Sequence, residues 1–167
     1  MGAQSSKKST HTQRRRSSSL DLNKVNVDEL TSVPYENQLV NFRVIGVYDG
    51  DTIDGIMAIG KQPVKIAIRL AGIDTPEIRA GKGKFEIEKK AGLLAKERLK
   101  ALLKDGQIQI VIHEWDKYGG RIVADVITAE GHSAAAILIK EGYGKPYDGK
   151  KAKEPWTFEE LMAPPFI

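Results

Sequence analysis

Between residues 64 and 70 apolar and polar positions alternate without a break: Val64, Ile66, Ile68 and Leu70 fall on one side, Lys65, Ala67 and Arg69 on the other. Successive side chains of an extended chain face opposite ways, so this run predicts a strand with one buried face. Such a face has to be covered, and the flanking sequence offers the partners. Val44, Val47 and Tyr48 lead into Asp49-Gly50, and Asp-Gly between apolar runs is a strong hairpin signal. Residues 52–59 continue as a second strand. Ile108, Ile110 and Ile112 alternate again as a fourth, and residues 121–127 supply a fifth.

Two helices punctuate these strands. Across residues 86–104, Ile87, Ala91, Leu94, Ala95, Leu99, Leu102 and Leu103 recur at helical spacing, and Lys104 and Gly106 form a stop signal. Residues 133–141 read as a short helix ended by Gly142. Residues 156–167 predict one amphipathic turn before Pro164-Pro165. The order of three strands, a helix, two strands and a helix fits a small α+β protein: a five-stranded OB-fold barrel with about three helices. The expected division is a disordered basic tail over 1–36, a barrel domain over 37–156 and a short extension over 157–167. One turn of helix is expected within the tail at Val27-Asp28-Glu29-Leu30.

Composition narrows the chemistry. The 167 residues include no Cys, which excludes disulfides, a thiol nucleophile and a Cys-based zinc site. Of 3 His, His11 lies in a polar tail, leaving His113 and His132, too few for most His-based metal motifs. Any bound metal should therefore be held by oxygen. The net charge of +4 is unevenly placed: residues 1–20 hold Lys7, Lys8, Arg14, Arg15 and Arg16 and no acid. Of the 26 bases in the chain, 21 are left to face 22 acids in the remainder. A nucleic-acid enzyme with so neutral a body needs local positive patches.

Asp49-Gly50-Asp51-Thr52, Arg69 and Asp74-Thr75-Pro76-Glu77 stand at the ends of strand-like runs. Alone, the first is a hairpin turn and the last a helix start. Together they combine hard oxygen donors, a base and a guanidinium. Phosphodiester hydrolysis needs a cation to polarise the phosphoryl oxygen, a base to activate water, and positive charge for the developing phosphorane. The donor set admits calcium, magnesium or manganese. Arg69 suits a bidentate grip on phosphate.

These motifs, with Arg69-Leu70 and Asp116-Lys117-Tyr118-Gly119-Gly120-Arg121, resemble the thermonuclease, or staphylococcal nuclease-like, family in order over roughly residues 44–156. The resemblance implies an OB barrel and a calcium-dependent nuclease that cuts DNA and RNA at the 5′ P–O bond and leaves 3′-phosphates. It implies calcium carboxylates at Asp51 and Asp74, a calcium-binding carbonyl at Thr75 and a general base at Glu77. Phosphate-binding arginines fall at Arg69 and Arg121, and substrate contacts at Lys117, Tyr118 and Tyr147. Two features depart from the family pattern. Gly119 and Gly120 precede Arg121 where well-known members have one glycine, and the 78–84 loop is shorter. The alternative is a family member that binds nucleic acid without cutting it. A monomer is expected.

The start of the chain carries a separate signal. Gly2 with Ser6 fits the N-myristoylation pattern, and Lys7 and Lys8 follow. One acyl chain binds membranes marginally, and without Cys there is no palmitoyl partner. The polybasic stretch is the second element, drawn to an anionic membrane surface at about 1 kcal/mol per base. Arg14-Arg15-Arg16-Ser17-Ser18-Ser19 resembles a basophilic kinase site, where phosphate would cancel that attraction. The expected location is the cytoplasmic face of a membrane in a eukaryotic or eukaryotic-virus setting, otherwise the cytoplasm; the plain alternative is a basic tail that adds nucleic-acid affinity.

Overall fold

The computed structural model describes residues 21–79, 86–117 and 120–167. Gly2, the rest of the basic stretch and Tyr118 lie outside them. The chain divides into two units, Met1–Leu30 and Thr31–Ile167. In the first, Leu22–Lys24 and Val27–Glu29 are single 3-10 turns, capped by the side chains of Asp21 and Asn26.

The second unit is built on a closed barrel of five strands: β1 (Leu39–Val47), β2 (Thr52–Ile59), β3 (Gln62–Leu70), β5 (Gln107–Trp115) and β6 (Arg121–Ile127). Around the barrel the order is β1-β2-β3-β6-β5, and β5 returns to β1. All pairings are antiparallel except β3 with β6, which is parallel and joins Ala67 to Arg121 and Arg69 to Val123. Parallel neighbours need a long crossover, and that connection contains α1 (Glu86–Leu102) and β5. The alternation seen in the sequence is the packing pattern. Ile53, Ile68, Leu70, Ile110, Ile112, Ile122 and Val126 fill the interior, all at most 1% exposed. Closing the barrel leaves no free edge among these strands.

α1 buries a stripe of small residues, Ala91, Gly92 and Ala95, followed by Leu99, which joins the main core. The glycine stop expected after it is present, with Gly106 at φ +69°. α2 (Ala134–Lys140) starts at Ser133, whose hydroxyl accepts from Ala136 N–H at 3.2 Å. Gly142 ends it at φ +84°. The third helix is α3 (Phe158–Leu161), opened by a capping box between Thr157 and Glu160.

Three features were not legible as periodic patterns. Val33, from the stretch read as tail, is 1% exposed and belongs to the main core. At the other end, Leu161 and Phe166 are buried in a second cluster with Ala91, flanked by Trp156 and Tyr143. The compact unit therefore extends beyond the 37–156 boundaries in both directions. Finally, β4 (Ile73–Asp74) and β7 (Lys145–Pro146) form a two-residue ladder. Two residues cannot show a period, yet this ladder decides what lies beside Asp74.

Candidate functional site

The acids come from two neighbouring turns. Asp51 closes the β1–β2 hairpin. Asp74, Thr75 and Glu77 follow β3 by way of the β4 bridge. Leu70 N–H donates to Asp51 O at 2.8 Å and ties the two together. Gly50 explains how they approach. It is not among the glycines with positive φ; its use lies in its size. A Cβ built there would stand 2.6 Å from Thr75 Oγ1 and 2.8 Å from Ala95 Cβ. Gly92 on α1 does the same for the other arm, where a Cβ would stand 2.5 Å from Pro76 O. Gly50→Ala is accordingly expected to lower stability by about 1–3 kcal/mol, the usual range for overpacking, and to reduce any activity of the acid loop. Thermal unfolding of the variant checks this, and an unchanged midpoint would refute it.

Asp51, Asp74 and Thr75 are buried, at 4%, 5% and 3% exposure. Arg69 Nη2 stands 3.2 Å from Asp51 Oδ2, and Thr52 Oγ1 donates to Asp51 Oδ1 at 3.0 Å. Burial nevertheless dominates and pushes the Asp51 carboxyl up to about 6, against the pull of Arg69 and with nearby Asp49 adding to the rise. Burial sets the rise, and the charges of Arg69 and Lys153 offset it only in part. Glu77 is more open; its backbone N–H donates to Glu88 Oε1 on α1 at 3.2 Å, which fixes the loop that carries it.

A residue that the sequence reading did not single out completes the cluster. Lys153 Nζ lies 2.5 Å from Asp74 Oδ1 and 3.0 Å from Glu77 Oε1. Burial alone would lower its pKa, but these contacts and the field of Asp51 hold the ammonium above its ordinary value. Asp74 and Glu77 therefore share the Lys153 ammonium, while Asp51 pairs with Arg69.

Arg69 and Arg121 come from adjacent strands. Ala67 pairs with Arg121 across the parallel ladder, and Arg69 is two residues further along the same face. Both, with Asp51, Glu77 and Lys153, line a cleft of about 540 Å³. Arg79 and Lys96, also unanticipated, add to its positive charge. The local basic patch that a near-neutral body requires is here. Arg121 is held by Asp116 through Nε, 2.8 Å from Oδ2, and through a second, shorter contact from Nη2. The second glycine before Arg121 has not taken it out of the cleft.

An adjoining cleft of about 370 Å³ shares Arg69 and Lys153 with the first and is also lined by Trp115, Lys117 and Tyr147. The β4–β7 ladder positions Tyr147, whose N–H donates to Gly72 O at 3.0 Å. The Arg69 guanidinium lies 5.9 Å from its ring centroid. Lys117 Nζ reaches Gly149 O at 3.2 Å. The structure thus brings Asp51, Asp74, Thr75, Glu77, Arg69 and Arg121 to one place, with Lys117 and Tyr147 beside it. His113 pairs with Asp125 at 3.0 Å across β5 and β6 and lines the adjoining cleft away from the acids.

Among the described residues no three acidic or His side chains are grouped tightly enough to cage a metal as they stand. The donor chemistry fits one all the same. Asp51 and Asp74 are buried hard oxygen donors that already face cationic groups, Arg69 and Lys153. A divalent ion there would be held by Asp51 and Asp74, with Thr75 adjoining.

No curated protein matches the chain. The sequence model of the family described as staphylococcal nuclease homologue matches residues 67–162, from the middle of β3 to just past α3. That match covers more than half of the chain, and the barrel with its three helices agrees with it. The protein belongs to the staphylococcal nuclease homologue family.

Proposed function

We propose that the protein is a calcium-dependent nuclease that hydrolyses DNA and RNA and leaves 3′-phosphate ends. The observation that carries this reading is the single cleft shared by Asp51, Glu77, Arg69 and Arg121. In it the buried Asp51 adjoins a half-exposed base and two guanidiniums, and Lys153 links the cleft to the buried Asp74. Calcium, when bound, would polarise the phosphoryl oxygen and offset the charge of the buried carboxylates. Arg69 and Arg121 would grip the phosphate and take up charge on its equatorial oxygens. Glu77, open to solvent and fixed at its backbone by Glu88, would accept the proton of the attacking water. The adjoining cleft, with Tyr147, Lys117 and Trp115, would receive the neighbouring nucleotide by stacking and charge.

One observation favours the second reading, a module that binds without cutting: Arg121 is occupied by Asp116, and Lys153 by Asp74 and Glu77. The test is degradation of single-stranded DNA and RNA by the purified protein with calcium and with a chelator, followed by analysis of the ends. Calcium-dependent cleavage to 3′-phosphates is expected. Retained binding with no cleavage under calcium, magnesium or manganese would leave only the binding module.

The same protein is proposed to sit on the cytoplasmic face of a membrane, held by a myristoyl group on Gly2 and by Lys7, Lys8 and Arg14–16 on anionic lipid. The support is in the sequence and lies outside the described residues. Among the described residues no helix is long and apolar enough to cross a membrane. Gly2→Ala is expected to move most of the protein from the membrane to the soluble fraction of eukaryotic cells while leaving nuclease activity in the extract unchanged. An unaltered membrane fraction would refute the anchor.

A further inference from the structure

Lys153 stands where a cation is wanted, and the way it is presented shows that the position is built. The loop between β7 and α3 is fastened along its length. Tyr147 Oη donates to Lys151 O at 2.9 Å, and Lys150 N–H donates to Asp148 Oδ1 at 2.9 Å. Lys117 Nζ holds Gly149 O, and Lys145 Nζ reaches Pro155 O at 3.4 Å. From this frame one side chain enters the acid cluster, to 2.5 Å from Asp74 and 3.0 Å from Glu77. It also lines both clefts.

An ammonium and a divalent ion compete for the same carboxylate oxygens. They also repel each other, and repulsion between charges a few Å apart in a partly buried site is strong. Sharing Asp74 would hold two cations within a few Å of each other, which costs free energy and sets them against one another.

We propose that Lys153 is a built-in counterion of the acid cluster, displaced when a divalent cation enters. It keeps Asp74 and Glu77 in place in the metal-free protein and lowers the affinity for metal. Once displaced, the ammonium remains tethered at the border of the two clefts, within the space that a substrate phosphate would occupy. The proposal rests on the metal-dependent reading above, and its test measures metal binding without nucleic acid.

Calcium binding to the full-length chain, its Lys153→Gln variant and its Lys151→Gln variant is measured by titration calorimetry. Lys151→Gln removes the same charge from the same loop but none of the two ion pairs. Lys153→Gln is expected to bind calcium at least tenfold more tightly than wild type, and Lys151→Gln within about twofold of it. Equal or weaker binding by Lys153→Gln overturns the proposal, and so does an equal gain in both variants, which would be a general charge effect. Calcium binding by none of the three overturns the proposal together with the metal-dependent reading, whereas unequal gains leave that reading intact. Should Lys153→Gln unfold in the absence of metal, the ε-methylene signals of Lys153 in the wild-type chain decide. Movement in step with calcium saturation supports displacement, and signals that stay fixed to saturation overturn it.

Discussion

Glu77→Gln is expected to lower the rate of phosphodiester cleavage by roughly three orders of magnitude, within the 10²–10⁴ range of general-base contributions. The substitution keeps the size of the side chain and its ability to hydrogen-bond Lys153. It removes the capacity to accept a proton. Because the Glu77 side chain is 40% exposed, the fold has little stake in it, and stability should change by no more than about 0.5 kcal/mol. Initial rates on single-stranded DNA at saturating calcium, beside thermal melts of both proteins, make the comparison. A rate within fivefold of wild type would move water activation to another group. A collapse in stability would mean that Glu77 acts through the fold, as an anchor for Lys153 and the 75–79 loop.

Asp51→Asn has two effects of opposite sign. Activity should fall by at least a hundredfold, since the variant loses a buried carboxylate that would hold calcium. Stability near neutral pH should rise. A carboxyl held at about 6 in the fold, against 3.8 as the ordinary value, takes its proton more readily folded than unfolded. Its contribution is favourable below pH 4 and is lost as pH rises through 6, so at pH 7.5 the ionised group weighs against folding. Two pKa units correspond to about 3 kcal/mol. Allowing for the lost contact with Arg69, a net gain of about 2 kcal/mol, or roughly 4–8 °C in Tm, is expected. Melting curves from pH 4 to 8 should separate with rising pH and coincide near pH 4. Calcium should stabilise wild type and leave the variant where it was. A variant less stable than wild type at pH 7.5 would show that the Arg69 contact outweighs the burial of Asp51.

Much of this arrangement could be read from the chain because its parts are local. The alternation of Val64 to Leu70 needs only a strand to express it, and Arg69 falls on the outer face for the same reason. Asp49-Gly50 marks a hairpin, although the glycine is needed for the closeness of Thr75 and Ala95, which no local rule shows. Arg121 was legible from its motif. Lys153 was not. It sits in a run of lysines without periodicity, and its meaning depends on a two-residue ladder between segments about 70 positions apart. Glu88 was hidden for a related reason: a Glu in the first turn of a helix is ordinary, and only the fold puts it under Glu77. Leu161 and Phe166 were apolar in plain sight, but nothing nearby in sequence announces Ala91 as their partner.

The parallel joint between β3 and β6 has a consequence for a chain still leaving the ribosome. The acids emerge early, in the β1–β2 turn and after β3, whereas Arg121 and the strand that closes the barrel lie about 50 residues later. Until β6 is out, β3 has no second neighbour, and the interior formed by Ile68, Leu70 and Ile122 cannot shut. The acid loops and the guanidinium of Arg121 thus cannot come together before the barrel closes.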